Sequence, residues 1–259
     1  MRPEQPAGRR PFLSRREVLA GAVSCLAIGG VSAETPDSMP DELGRIKALF
    51  KQPEPNTWVL TGDSITHGAL HTWGQRSYVE HFAERVRFEL DRLRDMVINS
   101  GTCADRVPDL LKDLRHRVSR FEPTVVSVML GMNDVRGGPD GREPFRRAYN
   151  VLIDRLRQES EALILLQTPN PITAVDTRRT NLPAYVEIVR EIAAKRGTAL
   201  VDQDKMWREY LTKGRGLMNL LNDGSIHPNG YGHILMARNM FKVLGIDDPN
   251  APTGRFFVP

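Results

Sequence analysis

Cysteine is scarce in this sequence, with two in 259 residues, at positions 25 and 103. Cys25 falls in an N-terminal stretch that reads as an export signal, so Cys103 stands alone in the remainder and an intramolecular disulfide is excluded there. Two residues after Gly101 and without a conspicuous base beside it, Cys103 reads as a small buried thiol rather than a nucleophile. No glycine-rich phosphate loop of the Gly-x-Gly-x-x-Gly or P-loop kind is present, which argues against a nucleotide or flavin binder. Internal repeats and low-complexity segments are also missing. Basic residues outnumber acidic ones by only 36 to 32, and no basic stripe interleaved with aromatics points to nucleic acid.

The charge that exists is unevenly placed. Five arginines and two glutamates give residues 1–33 a charge of +3, most of the chain's net +4. Within that stretch Arg15 and Arg16 precede an apolar, Ala/Gly-rich run from Ala20 to Val31, and Val31-Ser32-Ala33 supplies small residues for cleavage. The order resembles a twin-arginine export signal. The apolar run is shorter than the ~20 residues of a spanning helix, so an uncut anchor is the lesser reading. The expectation is export to a periplasmic or extracellular location, with membrane contact only through the signal before cleavage.

Residues 34–56 read as a polar linker followed by a helix over Asp41 to Lys51, which carries Leu43, Ile46, Leu49 and Phe50 at helical spacing. From 57 to 247, short aliphatic runs alternate with amphipathic segments. Strands are expected at Thr57–Leu60, Met96–Asn99, Thr124–Leu130, Ala162–Gln167 and Ala199–Val201. Their lack of clean alternation suits a parallel sheet covered on both faces. Helices are expected over Ser77–Leu93, opened by the capping pair Ser77 and Glu80, over Arg106–Phe121 with Asp105 as cap, and over Phe145–Glu159, Leu182–Arg196 and Tyr231–Leu244. Residues 248–259 read as a tail. The pattern predicts a three-layer α/β/α domain, whose ligands bind outside the carboxyl ends of the strands. Two long loops, Asn170–Asn181 and Lys213–Asn222, stand out as candidates for function.

Three blocks lie where that rule places chemistry: Gly62-Asp63-Ser64-Ile65-Thr66, Gly131-Met132-Asn133-Asp134, and Asp223-Gly224-Ser225-Ile226-His227-Pro228. A serine hydroxyl becomes a useful nucleophile when an imidazole takes its proton, and its tetrahedral intermediate needs fixed donors. Each block alone is an ordinary turn. In this order they resemble the GDSL or SGNH hydrolases, a family of serine esterases, over about Trp58 to Leu244.

The resemblance implies about five parallel strands in a flavodoxin-like order. Its four invariant positions fall on Ser64, Gly101, Asn133 and His227. It implies Ser64 as nucleophile and His227 as base, with an oxyanion hole formed by the backbone N–H groups of Ser64 and Gly101 and the amide of Asn133. Asp223 is the natural partner for His227, although the family's Asp-x-x-His spacing is here one residue longer. A backbone carbonyl or Asp202 are the alternatives. Among the other histidines, His81 and His116 fall inside helices, and His233 suits a structural hydrogen bond. His67 and His71, four apart, could share a helical face toward a metal, but no third ligand is evident, so substrate contact or packing is preferred.

These readings predict an exported esterase that uses no metal and no cofactor and forms an acyl-enzyme. A small-molecule or carbohydrate ester is the expected partner, with short-chain O-acetyl groups on carbohydrate first. A lipid acyl ester or thioester is the alternative within the same chemistry, and a catalytically silent carbohydrate-binding module on the same fold is the rival class.

Overall fold

A computed structural model describes residues 41–259. The expected signal, 1–33, and the polar stretch 34–40 lie outside the described residues. Five strands, β1 (Thr57–Gly62), β2 (Met96–Asn99), β3 (Val125–Met129), β4 (Leu163–Gln167) and β5 (Ala199–Val201), form one parallel sheet in the order β2-β1-β3-β4-β5. This is the flavodoxin-like order, and its first crossover reverses beside β1, leaving a crevice at the carboxyl ends of β1 and β3. Every residue of β3 and β4 is buried, as their unbroken aliphatic runs require, whereas β2 at the sheet edge is partly exposed.

Helices cover both faces. On one side α1 (Glu42–Leu49), α3 (Tyr78–Glu84) and α9 (Gly230–Leu244) pack together; on the other α4 (Val107–Lys112), α6 (Arg142–Glu159) and α7 (Leu182–Arg196) do. The side chain of Ser77 caps α3, and Glu80 returns a bond to the Ser77 N–H at 2.7 Å, the reciprocal box that the sequence predicts. The expected helix over Ser77–Leu93 instead changes to π geometry at Arg85–Glu89. Burial of Arg85 goes with this change: its guanidinium pairs with Glu89 and donates to the Ile246 carbonyl at 2.8 Å.

The helix expected over Arg106–Phe121 is broken into α4, α5 (Leu114–Arg117) and a 3₁₀ turn at Ser119–Phe121. Asp105 does not cap it. Its carboxylate pairs with the buried Arg117, which also donates to the carbonyls of Gly62 and Ser100 and so ties the ends of β1 and β2 together. Helix α8 (Gln203–Leu211), capped by Asp202, has no counterpart among the expected elements. Residues 248–259 pack against the domain: a short α10 (Pro252–Arg255) hydrogen-bonds to Glu89 through Thr253, and Arg238 donates to the Gly254 carbonyl. Among the described residues no helix is long and apolar enough to cross a membrane.

Candidate active site

Ser64 opens α2 (Ser64–His67), a single helical turn at the end of β1. The cap is Asp63, whose carboxylate accepts the Ile65 N–H at 3.0 Å, so Ser64 is the first helical residue and not the cap. Its N–H has no intrahelical acceptor and points from the positive end of a helical turn. Asp63 is fully enclosed. Burial pushes its carboxyl up to about 7, helped by the nearby charges of Asp134 and Asp105 and opposed by the Ile65 N–H.

The Ser64 hydroxyl lies 2.9 Å from His227 Nε2, and His227 Nδ1 lies 2.5 Å from Asp223 Oδ2. Asp223 thus reaches the imidazole across its longer spacing, while Asp202, the alternative partner, is occupied by Arg190 and the cap of α8. The other Asp223 oxygen accepts the N–H groups of Ser225, Ile226 and His227 at 2.9, 2.8 and 3.1 Å. Burial alone would raise this carboxyl. Hydrogen bonds from the Ser225 N–H, the imidazole and the two further N–H groups outweigh it and hold the carboxyl at about 2.

Gly101 and Asn133 follow β2 and β3, the two neighbours of β1, so both are brought to the same end of the sheet as Ser64. A Cβ at 101 would lie 2.4 Å from the His67 nitrogen. Glycine is therefore required first by the approach of this loop to α2. The Gly101 N–H donates to Asn99 Oδ1 at 3.0 Å, so donation to an oxyanion requires that bond to be shared or released.

Asn133 is nearly buried and held at both ends of its amide. Nδ2 donates one hydrogen to the Asp105 carbonyl at 3.1 Å, leaving its second hydrogen for a ligand, and Oδ1 accepts from Arg179 Nη2 at 3.1 Å. Buried Arg179 also donates to the Met132 carbonyl at 2.7 Å and pairs with Asp176. It comes from the Asn170–Asn181 loop. Loop length marks that segment in the sequence, but nothing there distinguishes Arg179 from Arg178. Beyond Asn133 lies a cleft of about 570 Å³ lined by Arg106, Asp134, Arg136 and Phe145 among others. Asp134 gives one oxygen to the Val107 N–H, and its other oxygen is buried without a partner. Burial pushes this carboxyl up to about 6.

Cys103 departs from expectation. It is exposed, and its sulfur lies 3.5 Å from His67 Nδ1 and 3.7 Å from His71 Nε2. His67 ends α2 and His71 lies beyond it in a turn, so the two do not share a helical face. Among the described residues no group of three or more His, Cys, Asp or Glu side chains is arranged to hold a metal ion. His233 accepts the Tyr78 N–H through Nδ1 at 3.2 Å, a structural bond at the start of α3.

Residues 60–235 match the GDSL-like Lipase/Acylhydrolase family, and the chain belongs to it. It is a carboxylic ester hydrolase on an α/β fold, which sets aside the silent-module reading. The chain is similar to an acetylxylan esterase of Geobacillus stearothermophilus, 28% identical over 209 residues that span 73% of this chain and 94% of the relative. Among solved structures, a catalytic mutant of an acetylxylan esterase from the same organism superposes with a TM-score of 0.64 at 24% identity, over 75% of this chain and 96% of the other. An α/β hydrolase enzyme from the metagenome of Lake Arreo, Spain, gives 0.62 at 23%, over 74% and 95%.

Proposed function

We propose that the protein removes short acyl groups, acetyl first, from carbohydrate hydroxyls through an acyl-enzyme on Ser64. The observation that carries this is the unbroken chain Ser64, His227, Asp223, with a donor to spare on Asn133 at the neighbouring strand end. Ser64 Oγ attacks the ester carbonyl as His227 Nε2 takes its proton. The new oxyanion is met by the Ser64 N–H, the free Asn133 N–H and, once released from Asn99, the Gly101 N–H. Collapse expels the alcohol, which receives the proton from His227 and leaves acetyl-Ser64. Water then attacks with His227 again as base, and acetate departs. Asp223, held ionised by three backbone donors, keeps the His227 proton on Nδ1 and stabilises the imidazolium.

Two features favour a sugar alcohol. The cleft beyond Asn133 is lined by Arg106, Arg136, Asn133 and Asp134, polar and charged groups that suit sugar hydroxyls better than a long acyl tail. The similar acetylxylan esterase acts on such an ester. Acetylated xylo-oligosaccharides, a long-chain lipid ester and an acyl thioester, offered to the parent and to Ser64→Ala, test the reading. Acetate release from the first, absent in Ser64→Ala together with phosphonate labelling, is expected. Preference for the lipid or thioester would overturn the carbohydrate assignment, and undiminished labelling of Ser64→Ala would overturn the nucleophile. We further propose export through residues 1–33. A mature protein beginning at Glu34 is expected by mass measurement, and a membrane-bound product retaining Met1 would refute it.

A further inference from the structure

The base has a neighbour that the esterase mechanism above does not use. The His71 ring lies flat on the His227 ring, with centroids 3.8 Å apart and planes 6° from parallel. This contact is anchored from both sides. The His71 N–H donates to the Gly68 carbonyl at 2.8 Å, and its ring nitrogen Nε2 faces the Cys103 sulfur at 3.7 Å. Asn222 then bridges the two histidine loops: its side-chain amide donates to the His71 carbonyl, and its backbone N–H donates to the His227 carbonyl at 2.7 Å. Asn222 directly precedes Asp223, so one short segment fixes the carboxylate, the base and the ring stacked on the base.

We propose that His71 is a positioning residue that holds the His227 imidazole in the plane joining Asp223 to Ser64 and cushions the positive charge it gains in the transition state. The inference rests on His227 acting as the base. A ring pinned at two nitrogens can still tilt about the line between them, and a flat ring against its face removes that freedom. The face of a neutral aromatic ring also attracts a cation, so the contact strengthens when His227 becomes imidazolium, the differential binding that raises kcat rather than lowering KM.

The charge state suits the role. His227, Asp223, His67 and Cys103 are the titratable groups that face His71. Burial, then the proximity of His227 and to a lesser degree His67, disfavours the charged form, with Asp223 acting in the opposite sense; the balance is a lowered affinity for the proton. His71 therefore stays a neutral ring at neutral pH, where a second cation would repel the imidazolium.

The test compares His71→Ala, which removes the ring, with His71→Phe, which keeps a flat ring and no ionisation, using a chromogenic acetyl ester. His71→Ala should lose about tenfold in kcat, equivalent to about 1.4 kcal/mol, with KM within about twofold of the parent. His71→Phe should recover to within about threefold. The downfield proton signal of His227 Nδ1–H should broaden in the first variant and persist in the second. Should His71→Ala not fold, His71→Leu, which fills the space without a flat face, replaces it. Full activity without the ring, or a Phe variant as impaired as Ala or Leu, would overturn the proposal. Ser64→Ala in the same assay separates this from failure of the catalytic reading: a live Ser64→Ala condemns the triad, whereas a dead one with a fully active His71→Ala condemns only the stack.

Discussion

Replacing Asp223 with asparagine tests the orientation of the base, because the surrounding backbone dictates how the new amide must lie. Three N–H groups, from Ser225, Ile226 and His227, converge on one carboxylate oxygen, and His227 Nδ1 faces the other. An asparagine keeps a single oxygen, for which those three donors compete, so its NH₂ is turned toward His227 Nδ1. An NH₂ there only donates. It forces the imidazole proton onto Nε2, and Nε2 then presents an N–H to Ser64 in place of the lone pair needed to accept the hydroxyl proton. A base held in the wrong tautomer costs up to ~10⁴-fold in kcat, about 5.4 kcal/mol at 1.36 kcal/mol per tenfold. Alanine removes the partner of Nδ1 altogether and should cost a loss of the same order, about 10⁴-fold in kcat. It should do more damage to the loop, stripping three N–H groups of their acceptor at a cost of about 1 kcal/mol, or a fall in Tm of about 2–4 °C. Both variants should therefore lose activity to a similar extent, whereas stability is expected in the order parent, Asn, Ala. Steady-state hydrolysis of an acetyl ester and thermal melts of both variants, with His227→Ala alongside, decide the matter. An Asn variant within a few-fold of the parent while His227→Ala is dead would show a Ser64–His227 dyad, and the role assigned to Asp223 would be withdrawn.

Asn133→Ala should lose about 10²–10³-fold in kcat with little change in KM, the usual consequence of removing an oxyanion donor. Arg179→Lys, whose single ammonium cannot span Met132, Asn133 and Asp176 together, should lose about tenfold alone and nothing further on the Asn133→Ala background; additive losses in kcat would disconnect Arg179 from the amide. Asp63→Asn keeps the cap of α2 and removes a buried carboxyl. The folded Asp63 carboxyl titrates at about 7, above its unfolded value of 3.8, so the parent gains stability as pH falls from about 7 toward 3.8 and is penalised above that window. The asparagine variant should accordingly melt higher than the parent above pH 7, and the gap should close in acid; a gap independent of pH would show that Asp63 is not the titrating group.

The sheet was legible because its strands carry the pattern of two-sided burial, and the longer helices because their apolar stripes are regular. Helix α8 escaped because it buries little that is apolar. Trp207 is enclosed, but its buried companions Gln203 and Asp204 are polar, so no stripe appears in QDKMWREYL. The break after α4 has a similar origin. Val107, Leu110, Leu114 and Val118 keep helical spacing through Asp113, yet that residue leaves helical geometry, and spacing alone cannot report a kink. Asp105 has the residue type of a cap but spends its carboxylate on Arg117, twelve positions away. Cys103 failed for a related reason: the buried habit of a free thiol is an average, and here a loop at the crevice holds the sulfur between two imidazoles. Ser64, Asn133 and His227 could be nominated from short blocks, whereas the contacts of Arg179 with Asn133 and of His71 with His227 exist only once the fold is formed.

The longer Asp-to-His spacing shows how such a contact can be built without the usual register. Gly224, at φ +68°, takes the left-handed turn that a side chain would resist, and the chain then doubles back so that Leu221 bridges Pro228 and the Asn222 N–H reaches the His227 carbonyl at 2.7 Å. Closing the loop between 222 and 227 aims the N–H groups of Ser225, Ile226 and His227 inward at a single point. A carboxylate at 223 satisfies all three with one oxygen and leaves the other for the imidazole. The longer spacing thus still brings three backbone donors onto Asp223 and keeps it within 2.5 Å of His227 Nδ1. The ionised state of the carboxylate is consequently maintained by the loop itself as well as by its bond to the imidazole.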